Sequence, residues 1–191
     1  MKIIHVVLGK ANPNRMNGVN KVAHSLATTQ KLLGHDVTIF GLTNTPEIDK
    51  INRSYKLSLY KRNKFYLDAN LKKDILKLTP EDAIFHIHGA FIIDFYLISI
   101  FLDKNKFRYI FTSHGAYNKV ALKKNWLIKS IFFSIFDGCI LRNAWKVQFL
   151  GQSEYDYIDT KIKNINKILV PNGQNLEDLK FDYKKIISDK K

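Results

Sequence analysis

The beginning of the chain restricts the fold most. Residues 2–8, Lys-Ile-Ile-His-Val-Val-Leu, read as a first strand, residues 9–17 as a loop, and Gly18 opens a helical pattern that runs to Gly34. Val19, Val22, Leu26 and Leu33 follow steps of three, four and seven, which places them on one helical stripe and predicts a core face. Gly34 stands where helices commonly end in a left-handed residue, and Asp36 then leads straight into Val37-Thr38-Ile39-Phe40. A strand, a helix and a second strand in so short a span make a βαβ unit, which requires a parallel sheet.

The same alternation continues downstream. Strands are expected at 3–8, 36–42, 56–60, 83–88, 109–113, 146–150 and 167–170, and further helices near 67–78, 92–103, 123–141 and 154–162. A chain of 191 residues, 46% of them hydrophobic, suits one domain with a real core. The expected fold class is therefore α/β: a Rossmann-like parallel sheet of about seven strands with helices on both faces. The domain is expected to occupy residues 1–175, with a polar, lysine-rich tail at 176–191.

The formal charge of +14 raises the question of an anionic partner. Lysine outnumbers arginine 26 to 5 and is spread along the whole chain without a run of five basic residues, so a general lysine bias explains the charge better than nucleic-acid binding. The single cysteine, Cys139, excludes an internal disulfide framework and a multi-cysteine zinc site, in keeping with a reducing cytoplasm. The opening apolar run is too short for a secretory signal. The greasiest stretch, residues 90–102, contains Asp94 and is well short of the roughly 20 residues that a bilayer crossing requires.

Three places carry chemistry. The loop before Gly18 ends at a helix start, where free backbone N–H groups and the helix dipole suit an anion; a tight turn explains Gly18 as well. The spacing is not that of a dinucleotide fingerprint, which argues against an NAD enzyme. His86 and His88 alternate on one strand face, so His86 is expected to be structural and His88, next to Gly89 at the strand's carboxyl end, functional. A metal reading would need a third ligand, and none is expected. Thr112-Ser113-His114-Gly115-Ala116-Tyr117 repeats a His-Gly at a second strand end, where imidazole can hydrogen-bond sugar hydroxyls or phosphate. No carboxylate pair, nucleophile elbow or Walker loop accompanies it. Residues 119–137 are basic and aromatic: Lys119, Lys123, Ser130, Ser134 and Asp137 share a polar sector, but the stripe is imperfect. Packing on the sheet is favoured over lipid docking by Lys123, Trp126, Phe132 and Phe133.

Asn17-Gly18-Val19, Gly34-His35-Asp36-Val37-Thr38, His86-Ile87-His88-Gly89, Ser113-His114-Gly115 and Val170-Pro171-Asn172-Gly173 together resemble the amino-terminal domain of family 4 (group 1) glycosyltransferases of GT-B fold. That resemblance implies a retaining enzyme without metal or other cofactor, whose site lies between an acceptor-side domain and a donor-binding domain. The donor domain would begin where this chain ends, so the chain alone is expected to be inactive. Asn17 and Gly18 match the glycine loop that approaches the donor diphosphate. His114 matches the histidine near the transferred sugar and is the expected catalytic residue, with His88, Gly115, Tyr117 and Asn172 binding substrate. Some relatives dock on membranes through the helix matching residues 118–136, which raises the lipid reading.

The expected function is thus sugar transfer from a nucleotide-diphosphate sugar to a glycan or lipid-linked acceptor in bacterial surface polysaccharide assembly. The location would be cytoplasmic, with peripheral contact to an anionic membrane at its inner face, and no nucleic acid as partner. The rival is a non-catalytic basic module that binds an anionic glycan, lipid or nucleic acid.

Overall fold

The computed structural model describes residues 1–14, 18–45, 47 and 49–173. The expected tail at 176–191 and Asn17 lie outside them. Seven strands, β1 (Lys2–Leu8), β2 (Asp36–Thr43), β3 (Lys56–Lys61), β4 (Ala83–His88), β5 (Arg108–Thr112), β6 (Lys146–Phe149) and β7 (Lys167–Leu169), form one sheet in the order β3-β2-β1-β4-β5-β6-β7. Every neighbouring pair is parallel. The middle strands are apolar in consecutive positions because parallel strands are covered on both faces, which is why Ile3 to Val7 are all buried.

One helix, α1 (Gly18–Leu32), covers one face, against Ile3, Val7, Val37 and Ile39. The opposite face carries α2 (Ala69–Leu76), α3 (Ile93–Lys104), α6 (Gly138–Asn143) and α7 (Gln152–Lys161). Their side chains join Phe85, Phe111 and Phe149 in the larger core. Helix α1 ends as expected. Gly34 adopts φ of +88°, its N–H bonds Lys31 O and the N–H of His35 bonds Gln30 O, the paired pattern of a Schellman cap.

Two expectations are corrected. The buried stripe of α1 is Asn20, Ala23 and Ala27, one residue on from Val19, Val22 and Leu26, and Leu33 lies past the helix end at 72% exposure. Small residues let the helix sit close to the sheet, and the larger aliphatics flank the contact. The single helix expected at 123–141 is broken into α4 (Lys119–Lys123), α5 (Trp126–Phe132), a π-turn (Phe133–Asp137) and α6. Asn125, at φ of +58°, ends any continuous helix. The π-turn inserts an extra residue and rotates the register, so Asp137, expected on the polar sector, is fully buried. Phe133 turns inward onto Tyr117 and leaves the outer face.

Candidate functional site

The strand order reverses between β1 and β4, since β1 leads to β2 and β3 on one side and β4 leads to β5, β6 and β7 on the other. At such a switch point the flanking connections diverge and leave a crevice beyond the strands' carboxyl ends. A cleft of about 230 Å³ lies there, lined by Leu8, Val19, His88, Gly89, Ser113 and His114 among others. Each strand end needs a sharp reversal to clear it. Gly9, Gly89 and Gly115 have φ of +107°, +121° and +84°, and His114 itself sits at +55°, a left-handed conformation that an ordinary residue holds only when its surroundings impose it.

A line of polar side chains runs under the cleft. Register pairs His5 with His86 and Val7 with His88, so the three imidazoles share the α1 face of the sheet. His5 Nε2 meets Gln30 Oε1 at 2.7 Å, His5 Nδ1 meets His88 Nε2 at 2.8 Å, and His88 Nδ1 meets His114 Nε2 at 2.9 Å. His86 Nε2 is held separately by Thr112 Oγ1 at 2.8 Å. Burial keeps these rings neutral. It pulls His5 down to about 4 against a small opposing pull from Gln30, and His114 to about 4. His86 and His88 lie well below the ordinary value, first from burial and then from the neighbouring imidazoles.

The loop that carries His114 is anchored from behind by two buried acids. Glu154 Oε1, on α7, accepts from Ser113 Oγ at 2.7 Å and from the Tyr117 backbone N–H at 3.1 Å. Asp137 Oδ2, turned inward by the π-turn, accepts from the Tyr117 hydroxyl at 2.8 Å and from the Phe91 N–H at 3.0 Å. Burial pushes the Asp137 carboxyl up to about 6 in spite of both bonds. On the other wall, Asn20 Oδ1 accepts from the Ala11 N–H and its Nδ2 donates to Leu8 O, tying the start of the β1–α1 loop to its helix.

The model of the family described as Glycosyltransferase Family 4 matches residues 16–178. The chain belongs to that family. No curated protein matches it. Among solved structures, a sucrose-phosphate synthase from Thermosynechococcus elongatus is similar, with a TM-score of 0.67 and 15% identity over 92% of this chain. This chain spans 49% of that one. A domain-sized chain of the same enzyme has a TM-score of 0.57 and 14% identity over 99% of this chain and 98% of its own. At these identities the likeness speaks for the fold, the amino-terminal half of a GT-B enzyme.

On this Glycosyltransferase Family 4 domain, His88 and His114 come together at the cleft and Gly115 shapes the loop between them and Tyr117. Gly18 begins α1 beside Val19, which lines the cleft; a Cβ on Gly18 would meet nothing within 4 Å, and its φ is not in the left-handed region. Neither packing nor backbone strain therefore demands glycine there. Tyr117 is fully buried with its hydroxyl committed to Asp137, so it supports the loop and does not form the cleft wall. Asn172 is exposed just beyond β7, apart from the cleft-lining residues.

Nothing in the sequence marks His5, Gln30, Asn20 or Glu154 for the site, and Asp137 reads there only as part of an outer polar sector. His5 supplies the third ring that a metal reading lacked: among the described residues, one ligand atom each of His5, His86 and His88 lie within 4.8 Å of one another. The facing nitrogens of His5 and His88 are already bonded to each other, so a cation would have to displace the proton they share.

Proposed function

We propose that this domain is the acceptor-side half of a retaining glycosyltransferase that moves a sugar from a nucleotide-diphosphate donor to a glycan or lipid-linked acceptor. In this reading the pathway is assembly of a bacterial surface polysaccharide, such as a capsule or lipopolysaccharide, on the cytoplasmic side. The observation that carries it is the cleft at the switch point, which joins the start of α1 to the neutral ring of His114. As the bond from the anomeric carbon to the diphosphate breaks, the acceptor oxygen bonds that carbon and its hydroxyl proton passes to the departing diphosphate, on which charge collects until that proton arrives. The positive end of the α1 dipole favours charge there, and the donor needs no metal or organic cofactor from this domain. His114, kept neutral, holds a sugar or acceptor hydroxyl in place. The remaining donor contacts come from a second domain outside this chain.

The test uses the full-length gene product. His114→Ala is expected to lower kcat by roughly 100-fold, the usual worth of a positioned proton-transfer or hydrogen-bonding group. Gly18→Ala should raise the donor KM while leaving the fold intact, since its methyl enters open space. Wild-type turnover by His114→Ala removes the assignment.

The reading includes peripheral contact with an anionic membrane. Val120, Trp126, Leu127, Ile128, Ile131 and Ile135 are exposed side chains along α4, α5 and the π-turn, with Val120 at 80% and Ile128 at 69%. Lys119, Lys123 and Lys124 stand exposed among them. An apolar patch rimmed by lysines is complementary to a bilayer surface carrying negative headgroups. This replaces Phe133 as a docking residue and leaves Phe132 half-buried against Phe91 and Phe136. Vesicles containing phosphatidylglycerol should sediment the chain in low salt and release it in high salt. The Trp126→Ser, Ile128→Ser double variant should lose most of that binding; undiminished binding contradicts the assignment.

A further inference from the structure

The line Gln30–His5–His88–His114 has a direction. A neutral imidazole carries one N–H, and each contact in the line has room for one proton. The carbonyl oxygen of Gln30 can only accept, so His5 carries its proton on Nε2 and presents a bare Nδ1 to His88. His88 must then donate from Nε2, which leaves its own Nδ1 bare toward His114. His114 donates from Nε2 in turn. All three imidazoles are used once as donor, and the outcome at the far end is an unprotonated Nδ1. Among the described residues that nitrogen has no hydrogen-bond partner, and its ring lines the cleft.

We propose that Gln30 and His5 are positioning residues that act through His88 to fix the tautomer of His114, so that it offers the cleft a hydrogen-bond acceptor at Nδ1. The line begins on α1, crosses from β1 to β4 and ends after β5. A choice made by an amide near the carboxyl end of the helix therefore decides what a ring in the cleft can bind. His114 so set accepts from a hydroxyl and does not donate to a phosphate oxygen, which selects a sugar or alcohol group at that point. This last consequence rests on the sugar-transfer reading; the tautomer assignment does not. His86 lies outside the line. Gln148 Nε2 donates to Val170 O, which turns Gln148 Oε1 to Thr112; the Thr112 hydroxyl donates there at 3.2 Å and accepts from His86 Nε2. His86 is therefore a built-in reference, held as the Nε2–H form by a different network.

The experiment is long-range proton–nitrogen correlation NMR of the imidazoles in the nitrogen-15-labelled chain at neutral pH, which reads each ring's tautomer without any need for activity. His5, His88 and His114 are expected in the Nε2–H form. In Gln30→Lys an ammonium that can only donate replaces the acceptor, and all three rings are expected to invert to Nδ1–H while His86 does not. Gln30→Leu removes the acceptor without introducing a charge and should leave His114 as a mixture of the two forms. Nδ1–H on His114 in the wild-type chain overturns the proposal. So does a His114 that stays wholly Nε2–H in either variant while His5 changes, because a merely structural glutamine would disturb its immediate neighbour alone. Failure of sugar transfer in the full-length protein would leave these spectra as expected, so the two readings fail separately.

Discussion

Lowering the pH from about 7 to about 5 is expected to unfold most of the chain, and the cause is the buried histidine line. His5 and His114 are held at about 4 in the folded state against an ordinary value of 6.5. Between those two values the unfolded chain binds protons that the folded chain refuses, so stability falls as the pH falls through that window. At about pH 5 each such histidine contributes a loss of roughly 2 kcal/mol relative to neutral pH. His86 and His88, also held well below the ordinary value by burial, act in the same direction. Asp137 opposes them. Its carboxyl is raised to about 6, so its folded state takes up a proton earlier than the unfolded chain, which returns about 1 kcal/mol over the same range. The net loss of several kcal/mol is comparable with the whole stability of an ordinary domain, about 5–15 kcal/mol. Guanidinium unfolding followed by circular dichroism at a series of pH values measures it. A midpoint that stays level down to about pH 5 would show that the rings are not buried and neutral.

The second large effect is at Gly41, in the middle of β2. An added Cβ would collide with the carbonyl oxygen of Gly9 and lie 2.8 Å from Leu59 Cδ2. The Gly9 backbone is held there by its own N–H, which donates to Leu42 O at 2.8 Å, so it has little freedom to retreat. Gly41→Ala is expected to cost about 3 kcal/mol, at the upper end for one methyl forced into a packed interior. It should also displace the loop after β1, which forms one wall of the cleft. Gly18→Ala is the matched control: its methyl meets open space at the start of a helix, where alanine is favoured over glycine, so stability should hold or rise by up to about 1 kcal/mol. Equal denaturant midpoints for Gly41→Ala and the wild type would contradict the close approach of the two backbones.

These two glycines also show how far the site could be read without coordinates. Gly18 was singled out from its place between a loop and a helical pattern. Gly41 lies inside a strand and carried no signal, because what it accommodates is the backbone of a residue far away in sequence. The same contrast separates the histidines. His86 and His88 announced themselves by alternation beside a glycine, whereas His5 was one polar residue in an apolar run. It becomes the centre of the line only because β1 pairs with β4. Asp137 was misplaced for a related reason: a regular helical wheel puts it outside, and a π-turn of five residues puts it under Tyr117.

What the sequence by itself determined was local and periodic. The seven strands, each within a residue of its expected ends, the glycine cap of α1 and the two His-Gly strand ends all follow from hydrophobic period and turn chemistry, which act over a few neighbouring residues. The tertiary structure alone decided which side of α1 meets the sheet, a one-residue rotation that brought Asn20, Ala23 and Ala27 inward. It also decided that Glu154 and Asp137 hold the His114 loop and that four side chains from two strands, a loop and a helix share one line of protons. Those outcomes depend on contacts between residues distant in the chain, where strand order and close packing, not local preference, set which groups meet.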